Sequence, residues 1–452
     1  MKSPAGHRHS ETLRQWVHIA FGAAALLLPF LHWYQAVILA AVAIMFNIRL
    51  LRKIAGKRLH RPLELQQSVP AGLVLYPTSI LIMLLMLPDR PDIVAGAWGI
   101  LAVGDGAATL VGRRYGLRKW PWNRQKSVVG SMAFAIAGGA AGAFLCWWCR
   151  SAIIPPPYLW FSTAAPLAAA TVAAAVETVP IRLNDNLSVP LSAAAVLWAL
   201  SIVSADLVAA IAVSLPGALI VALPVNALAG GAGYAARTVS LSGAIVGAAI
   251  GTVIYVCAGS RGWLLLLVCF LSAAGTSRMG LHRKTLLGIA EERGGRRGPG
   301  SAVANTGVAA MAAALAALSY GSGAALLAMT AALVAGASDT VASEIGKAWG
   351  TRTWAILPPR LVRPGTPGAM SIEGTAAGLV SASALAAVAL WLSVVPGAGV
   401  LPIIIGSVIG ATIESLLAAA FEPSGVLNND ALNLINTAVA AYVAVSIGGG
   451  LP

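Results

Sequence analysis

The sequence predicts an all-α polytopic membrane protein of about fifteen transmembrane helices, in two similarly oriented, distantly repeated halves. Three observations carry that expectation. Of 452 residues, 58% are hydrophobic and only 10% charged, whereas a soluble chain carries roughly 25% charged residues. Apolar runs of about 16–24 residues, long enough to cross a bilayer core, recur along the chain. And an acid-bearing motif in an apolar run, "VGDGAATLVGRRYG" at 103–116, returns at 337–350 as "ASDTVASEIGKAWG".

In order, the runs fall near 16–32, 34–50, 71–87, 93–112, 129–149, 158–178, 188–204, 206–223, 241–257, 261–275, 302–318, 322–346, 372–396, 398–420 and 431–449. The stretch 224–236 is too short and Gly-rich to assign. No small-residue cleavage site follows the first apolar run, so the first helix is expected to be retained behind the polar start "MKSPAGHRHSETLRQ".

The net charge of +14 is unevenly spread. Of the 30 Lys and Arg residues, 25 lie in the N-terminal tail and in segments 49–61, 113–126, 278–297 and 347–363. The positive-inside rule places these in the cytoplasm. Two, two, six and two helices separate consecutive basic segments, so every crossing count is even, and three helices follow the last. The N-terminus is therefore expected inside and the C-terminus outside, in the inner membrane of a bacterium. Membrane orientation accounts for the basic excess, and no nucleic-acid partner is expected. Cys146, Cys149, Cys257 and Cys269 fall within expected helices; "CWWC" lacks a second pair or a nearby histidine, so an apolar core role is expected.

The repeat extends past the opening motif. Asp105 aligns with Asp339, Ala108 with Ala342, Gly112 with Gly346 and Gly116 with Gly350. "KSVVGS" at 126–131 matches "MSIEGT" at 370–375, pairing Ser127 with Ser371, Gly130 with Gly374 and Ser131 with Thr375. Each half then has a glutamate, Glu177 or Glu414, followed by "NDN" at 184–186 or "NND" at 428–430. The expected domains are 1–200 and 201–452. The glycines suit close helix packing, as GxxxG spacings do, and equally suit backbone approach to a phosphate.

An acid inside a membrane helix costs at least ~2.5–3.5 kcal/mol and marks a functional site by default. Asp105 lies eight residues before Arg113, ~12 Å in from that helix end at 1.5 Å per residue, and Asp339 stands equally far before Lys347. Glu177, Asp185, Glu414 and Asp430 fall near the same side. A structural partnership with Arg113 or Arg182 and an ion path are rival readings, although transporter sites lie near the bilayer midplane. Carboxylates beside Lys and Arg suit Mg²⁺, which takes one or two carboxylates plus substrate phosphates, and a nucleotide whose phosphates the cations steady. No Walker A motif is present.

These motifs carry a family resemblance. "ETLRQWVHIAFG" at 11–22, "AGLVLYP" at 71–77, "GDGAATLVGRRYG", "KSVVGS" and "VETVPIRLNDNLSVPL" at 176–191 resemble the phytol and dolichol kinase family of integral-membrane enzymes, with Gln15 where that family usually has Lys. "GTSRMGLHRKT" at 275–285, "RGPGSAVANTG", "GASDTVASEIGKAWG", "RPGTPGAMSIEGT" and "GATIESLL" with "NNDALNLINT" resemble the membrane family that includes phytyl-phosphate kinase, with "GTPGA" at 365–369 where that pattern usually reads Gly-Thr-Asn-Gly-Gly.

The resemblance implies a bifunctional isoprenoid kinase that converts a membrane-embedded prenyl alcohol such as phytol to the monophosphate and then the diphosphate, with CTP or another nucleoside triphosphate as donor and Mg²⁺ as cofactor. Asp105, Glu177, Asp339 and Glu414 are the candidate catalytic groups, with Asp105, Asp185, Asp339 and Asp430 as metal ligands. Phosphate contacts are expected from Arg113, Arg114, Lys126, Ser127, Gly130 and Ser131 in the first half. In the second they are expected from Lys284, Asn305, Lys347, Arg360, Arg363, Ser371, Gly374 and Thr375. Glu344 and Glu373 are second-half alternatives, and His18 is a candidate for substrate contact or structure. A CDP-lipid-forming cytidylyltransferase and a repeat-built secondary transporter are the alternatives.

Overall fold

A computed structural model describes residues 11–49, 71–121, 123–178, 184–289, 296–356, 358–423 and 427–448. Most of the expected basic segment at 49–61, Arg182, and the "EER" loop at 291–293 lie outside the described residues. The chain forms two compact units, Met1–Ile202 and Val203–Pro452, and is an integral membrane protein by its apolar helices.

In the first unit the helices are α1 Glu11–Gly22, continued by a 3-10 turn at Ala23–Phe30, α2 Trp33–Arg49, α3 Ala71–Met86, α4 Pro91–Tyr115, α5 Val128–Cys149, short α6 Leu159–Thr163, α7 Ala165–Thr178 and α8 Asp185–Ile202. The second has α9 Ala205–Ala235, α10 Leu241–Arg278, short α11 Leu281–Leu286, α12 Pro299–Leu318, α13 Ser322–Trp349, α14 Ile372–Trp391, α15 Val400–Phe421 and α16 Asn429–Ile447. Between α13 and α14 lies a small antiparallel sheet of β1 Thr353–Ala355, β2 Arg360–Val362 and β3 Ala369–Ser371, with β1 central. Thr353 pairs with Val362 on one side and Ser371 on the other.

Among the described residues, 11 helices are long and apolar enough to cross a membrane, fewer than the number of apolar runs. Two reasons account for the difference. The first three runs form helices of 10–17 apolar residues. The runs at 241–257 and 261–275 join in α10, which breaks at Gly259 (φ 71°, ψ −177°). Only glycine adopts that backbone readily. The chain folds back there, because Arg278 near the end of α10 donates to the carbonyl of Ala236, just before its start. Residues 224–235, left unassigned from sequence, continue α9.

The motif helices are the axes of their units. α4 and α13 are 61% and 67% buried over their spans, against 6–50% for the other nine. Ile93, Ile100 and Leu101 of α4, and Met329, Leu333 and Val334 of α13, lie in the two cores. Asp105 and Asp339 therefore sit on helices surrounded by protein rather than lipid, which lowers the cost of an acid at that depth.

Local chemistry fixes the helix entries. Ser127 accepts from the Gly130 amide at 3.1 Å, Ser371 from the Gly374 amide at 3.0 Å and Asn428 from the Ala431 amide at 2.9 Å. Each satisfies one of the amides a helix start leaves without an intrahelical partner.

Candidate functional site

The glycines set the frame of each site by letting two helices nearly touch. A Cβ on Gly130 would lie 3.1 Å from the Ala108 carbonyl and 3.4 Å from the Gly112 Cα; one on Gly374 would lie 2.5 Å from the Ala342 carbonyl and 3.1 Å from the Gly346 Cα. A Cβ on Gly116 would stand 2.1 Å from the Gly112 carbonyl and 2.5 Å from Ser127 Oγ, and one on Gly350 would stand 2.4 Å from the Gly346 carbonyl and 3.1 Å from Ser371 Oγ. The residues aligned in sequence thus make matching contacts in the two units. Ser127, Gly130, Ser371 and Gly374 are all buried within this packing.

In the first unit, the turn between α4 and α5 docks on the end of α7, with Asn123 Nδ2 donating to the Thr178 carbonyl at 3.1 Å. This carries Lys126 Nζ to 2.5 Å from Glu177 Oε1 and 2.7 Å from Asp185 Oδ2. Burial disfavours the lysine's charge, but the two carboxylates outweigh it and hold its pKa above the ordinary lysine value. His18 Nε2 stands 3.9 Å from Asp105 Oδ2, and its ring packs edge-on against Tyr76 at 4.5 Å. Tyr76 in turn accepts from Trp98 Nε1 at 2.7 Å. Arg113 and Arg114 are exposed at the end of α4, with Arg114 over the Tyr115 ring. Ser131 Oγ accepts from Trp120 Nε1 at 3.0 Å.

In the second unit a cavity of about 420 Å³ collects Asp339, Lys347, Ser371, Gly374, Thr375 and Glu414. One wall is the loop Pro364–Gly368. Gly365 and Gly368 have φ of 84° and 67°, and a Cβ on Gly368 would lie 2.4 Å from the Ser415 carbonyl. Glycine is required at that turn on both counts. Glu414 is 9% exposed, and its Oε2 has no hydrogen-bond partner. Glu422, just past α15, also lines the cavity; burial pushes its carboxyl upward against the pull of Lys347.

Several expected residues stand elsewhere. Lys284 is 1% exposed and donates to Glu344 Oε2 at 2.5 Å and the Ser277 carbonyl at 2.8 Å, so it faces no open cavity. Glu344 also accepts from Lys347 at 2.9 Å, joining the two lysines. Asp430 lies against Gly300 at the start of α12, where a Cβ would be 2.3 Å from Asp430 Oδ2; that helix end favours an anion. Asn305 borders a different cavity. Arg360 and Arg363 are exposed on and beside β2. Glu373 accepts from the Thr351 amide and hydroxyl. Sequence reasoning did not single out Ser338, Ser407, Thr366 or Glu422, which line the cavity; the quoted "GTPGA" stretch was the one signal near them. Among the described residues, no group of three or more His, Cys, Asp or Glu is placed to hold a metal ion.

Residues 223–441 match the family described as integral membrane protein DUF92. The chain is similar to Protein VTE6, chloroplastic, of Arabidopsis thaliana, 34% identical over 46% of this chain and 64% of that protein, so it spans less than two thirds of that relative. It is 34% identical to the uncharacterized membrane protein sll0875 of Synechocystis sp., over 44% of this chain and 78% of that one. It is also 33% identical to probable phytol kinase 2, chloroplastic, of Glycine max, over 34% of this chain and 52% of that protein. No solved structure matches the chain. Through residues 223–441 the chain belongs to the DUF92 family of integral membrane proteins.

Proposed function

We propose that the protein is a membrane isoprenoid kinase with two sites in series, the first unit phosphorylating a prenyl alcohol such as phytol and the second phosphorylating the resulting monophosphate. The observation that carries this reading is the repeated frame: an acid on each central helix, Asp105 or Asp339, above matching glycine contacts and serine caps. Similarity to a probable phytol kinase supports the chemistry, and the two-half organisation is read as a fusion of two related kinase-like domains. CTP is the proposed donor, and both sites face the cytoplasm.

The charges of the two sites differ in a way that fits their acceptors. An alcohol is neutral and must lose a proton as its oxygen bonds to the γ-phosphorus of CTP and CDP departs with the bridging oxygen. Asp105, near His18, is the group proposed to receive it, while Lys126 holds Glu177 and Asp185 in place. A prenyl monophosphate is anionic already, and Lys347 in the second cavity offsets its charge. Asp339 and the unpaired Oε2 of Glu414 fit Mg²⁺, which takes one or two carboxylates beside substrate phosphates. In the first unit Asp185, whose side chain is 40% exposed beside Lys126, would hold the ion and leave Asp105 as the base. When bound, Mg²⁺ offsets the charge on the transferring phosphoryl group.

The test is product analysis with purified protein, Mg²⁺, phytol and γ-labelled CTP. Wild type is expected to give labelled diphosphate, Asp105→Asn no product from phytol, and Asp339→Asn monophosphate alone. Release of diphosphate with CDP-lipid would replace the kinase by a cytidylyltransferase. Folded protein that labels no prenol, including geranylgeraniol, would defeat the reading and favour a transporter.

A further inference from the structure

We propose that Asn436 of α16 is a positioning residue of the second site: it donates from Nδ2 to the Glu414 carboxylate and keeps that carboxylate turned toward Asp339. This rests on the reading that Asp339 and Glu414 hold Mg²⁺, and it names a residue on which that pairing depends.

Asn436 is fully buried, yet among the described residues neither its Nδ2 nor its Oδ1 has a hydrogen-bond partner. Leaving a buried carboxamide unpaired costs free energy, and such a group calls for a reason. A local partner stands within reach. Asn226 and Asn433, also buried, each turn Nδ2 back onto the carbonyl four residues earlier, that of Ala222 or Asn429, at 2.9 Å. Asn436 passes over the equivalent carbonyl of Leu432.

Its carboxamide is turned to α15 instead. A Cβ on Gly410 would collide with Asn436 Oδ1, so glycine at that position leaves the side chain its room. One turn further along α15 is Glu414, on whose carboxylate both Asn436 and the charge of Asp339 act. Glu414 and Asp339 line the cavity and Asn436 does not, so Asn436 stands behind the carboxylate. An ionised carboxylate has about four lone-pair sites, enough for a donor behind and a cation in front.

Two carboxylates aimed at one cavity repel each other, and a holder keeps either from turning away. In the first unit that holder is Lys126, 2.5 Å from Glu177. The second unit has Met370 at the aligned position, and aligning Asp430 with Asp185 sets Asn436 opposite Leu191. The holder has thus moved from a loop to a helix and lost its charge. A neutral donor steadies Glu414 without neutralising it, which leaves the negative charge to a cation.

The test is binding of Mn²⁺, standing in for Mg²⁺, to the full-length protein in nanodiscs, read by electron paramagnetic resonance. The share of binding lost in Asp339→Asn belongs to the second unit. Asn436→Ala is expected to weaken that share at least tenfold, the range for removing a partner behind a metal ligand. Asn436→Asp keeps the size but removes the donor, and should weaken it as much. Asn433→Ala, which breaks the bond to Asn429, is expected to bind Mn²⁺ as wild type. Its denaturant midpoint should lie at or below that of Asn436→Ala, because Asn436 gives up no hydrogen bond.

Wild-type binding by a folded Asn436→Ala protein overturns the proposal and leaves the carboxamide to a buried water. Tighter binding by Asn436→Asp overturns it too, since position 436 would then be a direct ligand. Failure of the cation reading looks different: Asp339→Asn binds as much Mn²⁺ as wild type, and both ideas fall together. Failure of the kinase reading alone leaves the whole binding pattern in a protein that transfers no phosphate.

Discussion

The two units build the same helix crossing and then arrange charge around it in opposite ways. In the first, Lys126 reaches in from the turn before α5 and pairs with Glu177 and Asp185. In the second the aligned residue is Met370, which lines the cavity, and Glu414 keeps an unpaired oxygen. The lysines of the second unit are gathered instead on Glu344, whose aligned residue in the first is Leu110. Similar glycine contacts and serine caps are thus compatible with two charge balances, because they fix the backbone while other side chains set the electrostatics.

The largest effect expected from breaking this comparison is on catalysis. Asp105→Asn should lower phosphorylation of the alcohol about 100-fold or more, the range for removing a general base, and spare conversion of added monophosphate. Asp339→Asn should do the reverse, and single-turnover assays on each substrate separate the two. Equal loss of both steps in either mutant would mean a single shared site.

Next is the frame. Gly374→Val meets the Ala342 carbonyl and Gly130→Val the Ala108 carbonyl, and overpacking of this kind costs about 1–3 kcal/mol. The tighter contact, 2.5 Å against 3.1 Å, puts the larger loss at Gly374. Denaturant unfolding in detergent measures both.

Exchanging the differing residues sharpens the contrast. Lys126→Met leaves Glu177, whose side chain is 4% exposed, without its cation. Stranding a buried charge costs about 3–5 kcal/mol, reduced here to about 2 kcal/mol because Lys126 is partly in solvent. Met370→Lys, the reverse exchange, puts an ammonium beside Glu414 and should slow the second step at least tenfold with little change in unfolding.

Glu344→Gln acts on stability and binding together. It strands Lys284, which is 1% exposed, at a cost of about 3–5 kcal/mol in unfolding. It also frees Lys347 from its anchor, which is expected to raise KM for the monophosphate about tenfold, or ~1.4 kcal/mol, with kcat little changed. A fall in kcat alone would mean that Glu344 touches reacting atoms. The smallest effect concerns pH. A lysine whose folded pKa is raised contributes its full stability below the unfolded value of about 10.4 and loses it only as pH rises through the folded one. The titration of Lys126 itself should therefore add no slope to wild-type stability below about pH 8.5. Any slope there in the difference between wild type and Lys126→Met reports the carboxylates it holds, Glu177 and Asp185.

The helical membrane class was legible because apolar length is a local property. The number of long spans, 11 among the described residues against about fifteen expected, was not, because short helices and the break at Gly259 divide the apolar runs differently. Asp339, Lys347, Ser371 and Glu414 were each legible from a motif and come together in one cavity. Lys284 and Asp430 were not legible in the same sense. Their surroundings depend on where α11 docks on Glu344 and how α12 begins beside α16, and no periodicity encodes either. The three short strands escaped for a different reason: each is three residues long, too brief to show alternation amid prolines and basic residues.

The turn at Gly259 bears on how the chain enters the membrane. Residues 241–278 have only Ser260 and Arg261 as hydrophilic residues between their two arms, too short a break for a loop, so they are suited to insertion as one hairpin rather than as successive spans. Counted as a single crossing, they would invert the handed-out sidedness of everything downstream. Counted as a hairpin, they return Arg278 to the side of Ala236, as the bond between the two shows. One glycine thus sets whether this segment counts as one crossing or two.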